Sequence, residues 1–422
     1  MIKGVDLRSC QLFWEFLMHP INRRAVLTMF AAAALDASAR AADTIPEYSD
    51  EEVVNILREE AESTLTSRDT LGSFWFQKPE GQRPSPNWPQ DNVSYDYAHL
   101  AGYVLPEEEF ELTGKLLLDY MHLCSYAAKT KEKLLFGLRG CVLVSENRAA
   151  DFAEAHLVRE TRPDHVSCSC LLGVLDPTNK KIALFAGSTV PNVDLMEMQA
   201  RGLLGCNMLP TGMHVYRVGP HKGIRQPGAF RQQTSLWVHR AKGMLQYSLN
   251  DKDNIWDDLE GALPADNIHA AVLNYRRKPP YFSSAGCQVV EGAYASNRAP
   301  IGPWADFRRC AGLNQPPVLI NQTGATTDDG RQFDYVLLTG KEAHLLAAKN
   351  PVPVESLRYG SEGTRAVKLQ KVLVNDGALD GSYEPGKLDR KTMGALIRWQ
   401  RSKMFMPTGI LARTSAHTLN VW

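Results

Sequence analysis

The apolar positions of this chain follow three different rhythms. Between residues 49 and 63, "SDEEVVNILREEAES" opens on a serine cap and acidic residues, and Val53, Val54, Ile56 and Leu57 then fall on one helical face. The Pro-rich polar stretch at 75–92 reads as a surface loop. Helical spacing returns from about 107 to 129 in "EEEFELTGKLLLDYMHLCSYAAK". Residues 42–133 are therefore predicted to be a mostly helical extension.

From "LLFGLRGCVLV" the period shortens, and short β-rich runs broken by Gly, Pro, Asn and Asp continue to about Leu346. "SCSCLLGVLD", "PTNK" and "KIALFAGSTV" form a hairpin pattern with turn residues in the middle. "MHVYRVG", "SLWVHRA", "IHAAVLN", "CQVVEG" and "FDYVLLTG" read as further strands, and "PIGPWADFRRCAGL" as the best helix among them. Residues 134–348 are expected to form one mainly β domain. "KNPVPVES", at 349–356, reads as a linker. Beyond it, at 357–422, helical spacing resumes. One predicted helix carries Val367, Leu369, Val372 and Leu373, and another carries Met393, Leu396, Ile397 and Trp399 after a start at Asp389 and Thr392. The expected class is α+β overall.

Composition narrows the function classes. The 422 residues hold 47 Lys plus Arg against 47 Asp plus Glu, so no bulk basic field draws nucleic acid. At the N-terminus, Arg23 and Arg24 precede an apolar run from Ala25 to Leu35. Small-x-small triplets follow at Ala37-Ser38-Ala39 and Ala39-Arg40-Ala41. The run is too short for a bilayer core of roughly 30 Å and has the length of a signal core. It resembles a twin-arginine export signal over residues 1–41, with Met18 as an alternative start and an amphipathic helix as the alternative reading. Export implies a periplasmic location, with no stable membrane span once the signal is removed. It also places the eight cysteines, seven without Cys10, in an oxidising compartment. Cys168 and Cys170 alternate on an apparent strand, which points both to one face. Neither Cys-x-x-Cys nor His-x-x-x-His spacing occurs, so no metal or other cofactor is expected.

The C-terminal segment carries a spaced set of anchors: Leu357-Arg358, Gly360, Gly363, Val367, Leu369-Gln370, "LDG" at 379–381, Thr392, Ala395, Trp399-Gln400 and "PTGILARTSAHTL". In this order they resemble the three-helix peptidoglycan-binding module of secreted wall enzymes. Glu384-Pro385-Gly386 departs from the usual Gly-Tyr-Gly-like turn. The resemblance implies a shallow groove for glycan strands and stem peptides.

Cys287 lies in "YFSSAGCQVV", behind Gly286. A nucleophilic cysteine needs a base to maintain its thiolate and donors for an oxyanion. His269, eighteen residues upstream, is the candidate base if two strands bring it back beside the sulfur. Backbone N–H groups of Gly286 and Cys287 are candidates for the oxyanion hole, and Ser284 for a bond to the imidazole or substrate. Arg276 and Arg277 in the intervening loop suit a substrate carboxylate, as do His221 and Arg225 around the "GPHKG" turn, where a solvated loop is the competing reading.

The order Ile268-His269-Ala270, then Ser284-Ala285-Gly286-Cys287, resembles the L,D-transpeptidase family. That resemblance implies a β-sandwich catalytic domain with His269 as base, Cys287 as nucleophile, and Ser284 and Gly286 as supports. Ala285 stands where the family usually has a second histidine, and Val289 where an Arg or Asn is usual. Thr189 and Pro191 in "GSTVPN" are similar to a Thr-Pro element of that family. Other readings stay open at this point. Cys287 reads also as a packed core thiol or as half of a disulfide with Cys310 or Cys206. His344 is an alternative base in an amidase or endopeptidase, and a non-enzymatic wall-binding protein is a further reading.

Overall fold

A computed structural model describes residues 95–422, except for 101, 104–108, 128–131, 145–150, 193–194, 196–206, 222–225, 233, 235–236, 241–265, 272–281, 296, 315–316, 318, 321–322, 417–418 and 420. The expected signal, the helix at 49–63, the loop at 75–92, and Arg225, Arg276, Arg277 and Cys206 lie outside the described residues.

After a 3-10 turn at Tyr95–Leu100, the chain runs β1 (Glu109–Thr113), α1 (Gly114–Leu123), β2 (Leu134–Arg139), β3 (Cys141–Leu143) and β4 (Ala155–Glu160). It continues through β5 (Cys170–Asp176), β6 (Lys181–Ser188), β7 (Asn207–Met208), β8 (Gly212–His221), β9 (Gln226–Gln232) and β10 (His239–Arg240). Next come β11 (Ile268–Ala270), β12 (Gln288–Val290), β13 (Ala293–Tyr294), β14 (Pro300–Ile301) and α2 (Pro303–Cys310). The last elements are β15 (Gln332–Thr339), α3 (Gly340–Ala347), β16 (Ser356–Leu357), α4 (Thr364–Asn375), α5 (Arg390–Ser402) and β17 (Leu411–Ala412). The chain is thus mainly β within an α+β class.

Eight strands close on themselves in the order β11-β12-β6-β5-β2-β15-β8-β9, where two facing sheets of a sandwich were expected. Closure comes from the short β11, which lies parallel to β12 on one side and meets β9 at Ile268 opposite Phe230 on the other. The expected hairpin is present as β5 and β6, paired from Cys170–Gly187 to Asp176–Lys181. Its turn is set by the Asp176 side chain, which accepts from the Asn179 backbone N–H at 3.2 Å.

Alternation divides the side chains of these strands between two cores. Leu135, Leu172, Val174, Ala183, Phe185, Tyr335 and Leu337 join residues from the other barrel strands and from α2, including Trp304 and Phe307, in one cluster. Their neighbours Leu134, Phe136, Leu138, Leu171, Leu175, Ile182, Leu184, Val336 and Leu338 join the other, with β1, α1 and α3. Because β2, β5 and β15 are covered on both faces, their sequences are almost continuously apolar.

The reading of 107–129 as helix is corrected in its first part. Glu109–Thr113 is a strand whose Phe110 and Leu112 are buried while Glu109 and Glu111 are exposed, and it pairs with β4. The acidic run favours a helix start locally, but pairing and burial of two large side chains outweigh a propensity difference well under 1 kcal/mol per residue. The helix begins where Thr113 accepts from the Leu116 N–H at 3.0 Å. From Glu109 onward this segment belongs to the β core and is no extension of it.

The linker expectation for 349–356 is corrected as well. Val354 and Ser356 are fully buried, and Ser356–Leu357 pairs with β17. Directly behind, the buried Arg358 donates to Glu342 Oε1 at 2.5 Å, to Thr211 Oγ1 at 3.0 Å and to Ser356 Oγ at 3.1 Å from Nε. Glu342 also bonds His99 at 2.9 Å, Thr339 Oγ1 at 2.8 Å and the Tyr120 hydroxyl. Arg358 holds the Glu342 carboxyl down at about 2 despite its burial.

In the C-terminal segment α4 and α5 pack Leu369, Leu373, Met393, Leu396, Ile397 and Trp399 against Trp237, Leu357 and Leu411. Among the described residues the third expected helix is a 3-10 turn, Arg413–Ser415. Val367 faces outward, because Ala366, Leu369, Gln370 and Leu373 form the buried face of α4. Asp389 caps α5 as expected, accepting from Thr392 N–H at 2.8 Å. Each helix then clamps a glycine turn with a buried glutamine. Gln370 accepts from Gly386 N–H at 2.8 Å and donates to the Glu384 and Lys387 carbonyls. Gln400 accepts from Gly409 N–H at 2.9 Å and donates to the Ile410 carbonyl.

Two buried imidazoles make the fold acid-labile. Burial pushes His165 and His214 down from 6.5 to about 4. Each is neutral in the folded chain between those values, whereas the unfolded chain takes the proton. Stability is therefore fully present above pH 6.5 and is lost as pH falls toward 4. Urea unfolding between pH 7 and 4.5 is expected to show a slope approaching about 2.7 kcal/mol per pH unit for the two rings together, and His214→Gln is expected to halve it. A pH-independent midpoint across that window contradicts the assignment.

Candidate active site

The site grows out of the parallel pair β11 and β12. Their register sets His269 opposite Val289. Cys287 precedes Val289 by two residues, so alternation puts its side chain on the same face as the imidazole, one pleat back. Close approach of β6 to β12 depends on Gly187: a Cβ there would lie 2.1 Å from the Val289 carbonyl oxygen. The cysteine is buried at 5% exposure and packs with Ala271, Phe282, Val289 and the partly buried Cys168.

The turn before Cys287 is held by its own side chains. Gly286 has φ +151°, a backbone region that favours glycine. Ser284 Oγ accepts from Gly286 N–H at 3.0 Å and donates to the Cys287 carbonyl at 2.7 Å. Two expectations are corrected by this. Ser284 is committed to the loop backbone rather than to the imidazole or a substrate, and the Gly286 N–H is already bonded and is not an oxyanion donor. Gln288 Nε2 adds a bond to the Gly286 carbonyl at 3.0 Å while its Oε1 accepts from Tyr335 at 3.2 Å. Asn192 donates to the Phe282 carbonyl through Nδ2 at 2.9 Å and to the Ser284 carbonyl through its backbone at 2.8 Å.

His269 is 1% exposed and donates from Nδ1 to the Ala270 carbonyl at 2.7 Å. The proton of the neutral ring therefore sits on Nδ1, which leaves Nε2 as its basic nitrogen. A second imidazole completes the group. His221, the last residue of β8, stacks on His269 with ring centroids 4.7 Å apart at 18°. A register shift between Gly219 and His221 re-aims the end of β8, and His221 is 7% exposed. The expectation of a loop residue gathering a carboxylate is thereby corrected. One ring nitrogen from each histidine and the Cys287 sulfur all lie within 4.8 Å of one another.

Sequence reasoning paired Cys287 with His269 but missed Asn267, Asn192 and Gln288. Asn267, two residues before His269 in "DNIHA", was the one readable signal, since alternation sets it on the same face. Its Oδ1 accepts from Gln232 N–H at 2.9 Å and its Nδ2 donates to His221 Nδ1 at 2.9 Å.

His344, Thr189 and two further histidines lie in other surroundings. His344 bonds Glu160 at 3.0 Å and stacks on Phe110, beside a groove of about 1010 Å³ bordered by β1, α1 and α3. Thr189 is buried and accepts from Arg139 Nε at 3.2 Å. His214 donates to or accepts from nothing in the Cys287 group; it bonds the Pro210 carbonyl at 3.0 Å and stacks on Tyr359. His239 lies 3.3 Å from Asp96.

All six described cysteines are thiols, namely Cys124, Cys141, Cys168, Cys170, Cys287 and Cys310, so the Cys287–Cys310 disulfide is corrected. Cys168 precedes β5 and Cys170 begins it, where both were expected within one strand. Chemically, a thiol with two imidazoles suits nucleophilic acyl transfer. The same three donors also have the composition of a transition-metal site, although no metal was expected from the sequence. Comparison of the chain with protein-family models, with curated proteins and with solved structures gives no match.

Proposed function

We propose that this chain is an exported cell-wall enzyme that cleaves the amide between the L-centre of diaminopimelate and D-Ala in peptidoglycan stem peptides. The observation that carries this reading is the buried convergence of Cys287, His269 and His221 within 4.8 Å. The resemblance of 357–422 to a peptidoglycan-binding module supports the substrate class, and the twin-arginine-like N-terminus supports a periplasmic location.

In the proposed reaction the Cys287 proton passes to His269 Nε2, and the sulfur attacks the amide carbonyl carbon. The carbonyl π pair moves onto oxygen. Collapse of that oxyanion breaks the C–N bond, and the leaving amine of D-Ala takes the proton back from His269. The thioester then passes its acyl group to an incoming amine, which cross-links two stems, or to water, which trims one. In either case the acceptor's proton goes to His269 and then to the released sulfur.

Labelling with a carbapenem tests the nucleophile. Intact-mass measurement is expected to show one added carbapenem on the wild-type chain and none on Cys287→Ala. An adduct that persists on the alanine variant overturns the assignment. Digestion of isolated sacculi with the same pair of proteins is expected to change the muropeptide profile only with the wild type.

A further inference from the structure

From the hydrogen bonds behind the site we infer that His221 is a catalytic residue locked by Asn267 as an Nε2–H donor toward the reacting sulfur and oxyanion. This inference rests on the acyl-transfer reading above. Its origin is the orientation of one amide. Gln232 is a backbone donor, so the Asn267 atom facing it must be the acceptor Oδ1. The opposite atom is then Nδ2, which only donates, and its partner His221 Nδ1 must accept. A ring whose Nδ1 accepts carries its proton on Nε2 when neutral. His269 is the mirror case, since its Nδ1 donates to a carbonyl and Nε2 keeps a lone pair. The two stacked rings thus bring opposite tautomers to one thiol, the first able to take its proton and the second able only to donate a hydrogen bond.

Chemically this supplies what the loop withholds. With Gly286 N–H bonded to Ser284, a donor from another strand adds to what the loop offers where negative charge develops. The His221 N–H stabilises the thiolate before attack and the oxyanion after it, and it transfers no proton, so the balance of the reaction is unchanged. One ring nitrogen of each histidine lies within 4.8 Å of the sulfur, which puts both rings within reach of the atoms that react there. The same lock opposes metal binding. A ligating imidazole usually donates its second N–H to a carboxylate or carbonyl, as His269 does; His221 instead receives a hydrogen there.

Nitrogen-15 spectra of the histidine rings in the full chain at neutral pH test the tautomer directly. The expected result is Nε2–H on His221 and Nδ1–H on His269. An Nδ1–H or doubly protonated His221 overturns the inference even if Cys287 acylates normally. Absence of any acylation with both tautomers as stated removes the acyl-transfer reading, and the catalytic role of His221 with it.

Variants separate donation from packing. His221→Phe is expected to slow carbapenem acylation by about 10²-fold, the usual loss for one oxyanion donor, while His221→Gln, which restores an N–H, recovers most of it. Equal losses in the two variants mean a structural role and overturn the proposal. Asn267→Asp turns the partner of Nδ1 into an acceptor and so moves the proton off Nε2. It is expected to slow acylation as His221→Phe does and to create a cobalt(II)–thiolate absorption band that the wild type lacks. A wild-type chain that develops the band with cobalt(II) alone shows that the lock does not hold and overturns the proposal.

Discussion

Replacing His269 with alanine is expected to lower the rate of Cys287 acylation by about 10³-fold, within the range typical of losing a general base. The size of the loss follows from the surroundings of the sulfur. Cys287 is buried among Ala271, Phe282 and Val289, so water does not easily replace the imidazole as proton acceptor. Single-turnover mass spectrometry with a carbapenem measures the rate, and thermal unfolding checks that the variant keeps its fold. His344→Ala serves as the contrast, because that ring is held by Glu160 and Phe110 and is expected to leave the rate within about twofold. The opposite pattern, with His344 essential and His269 dispensable, would transfer the base to His344 and sink the proposed site.

Arg358→Met is expected to destabilise the fold by about 3–5 kcal/mol. The guanidinium and the Glu342 carboxylate are both fully buried, and removing the cation leaves a charge that cannot reach water. Tyr120, Thr339 and His99 also hydrogen-bond Glu342, so the carboxylate cannot be dispensed with as an acceptor. Adding Glu342→Gln to Arg358→Met removes the orphaned charge while keeping an oxygen for the hydroxyls, and is expected to recover most of the loss. Urea midpoints of the four proteins in this cycle provide the check. A single-variant loss under about 1 kcal/mol would mean that the pair is dispensable to the joint between the barrel and the C-terminal helices.

Much of the fold was legible because period is a local property. The β5–β6 hairpin, β15, α2, α4 and α5 were all read from alternation, helical spacing or turn residues. Errors arose where distant partners decided the outcome. The stretch "EFELT" is a strand because β4 lies beside it, and Ser356 and Leu357 are buried where β17 pairs with them. Neither partner lies near in sequence, so no window on the chain contains the information. Val367 points outward for a subtler reason: α4 has more apolar residues than one face can bury, and the face was chosen by Ala366 and Gln370, which are small or fully hydrogen-bonded.

For the candidate site the division is sharper. The sequence by itself determined that Cys287 follows a glycine, that a histidine precedes it by one strand and one loop, and that no short-spaced metal motif accompanies them. Those are matters of residue type and spacing along one segment. Only the tertiary structure decided that His221 from β8 stacks on His269, that Ser284 binds the loop rather than the imidazole, and that Asn267 orients the second ring. The physical reason is closure of the barrel. Through β9, the sheet carries the end of β8 to the edge of β11, and a hydrogen-bond donor or acceptor acquires its role from the atom it faces across that gap.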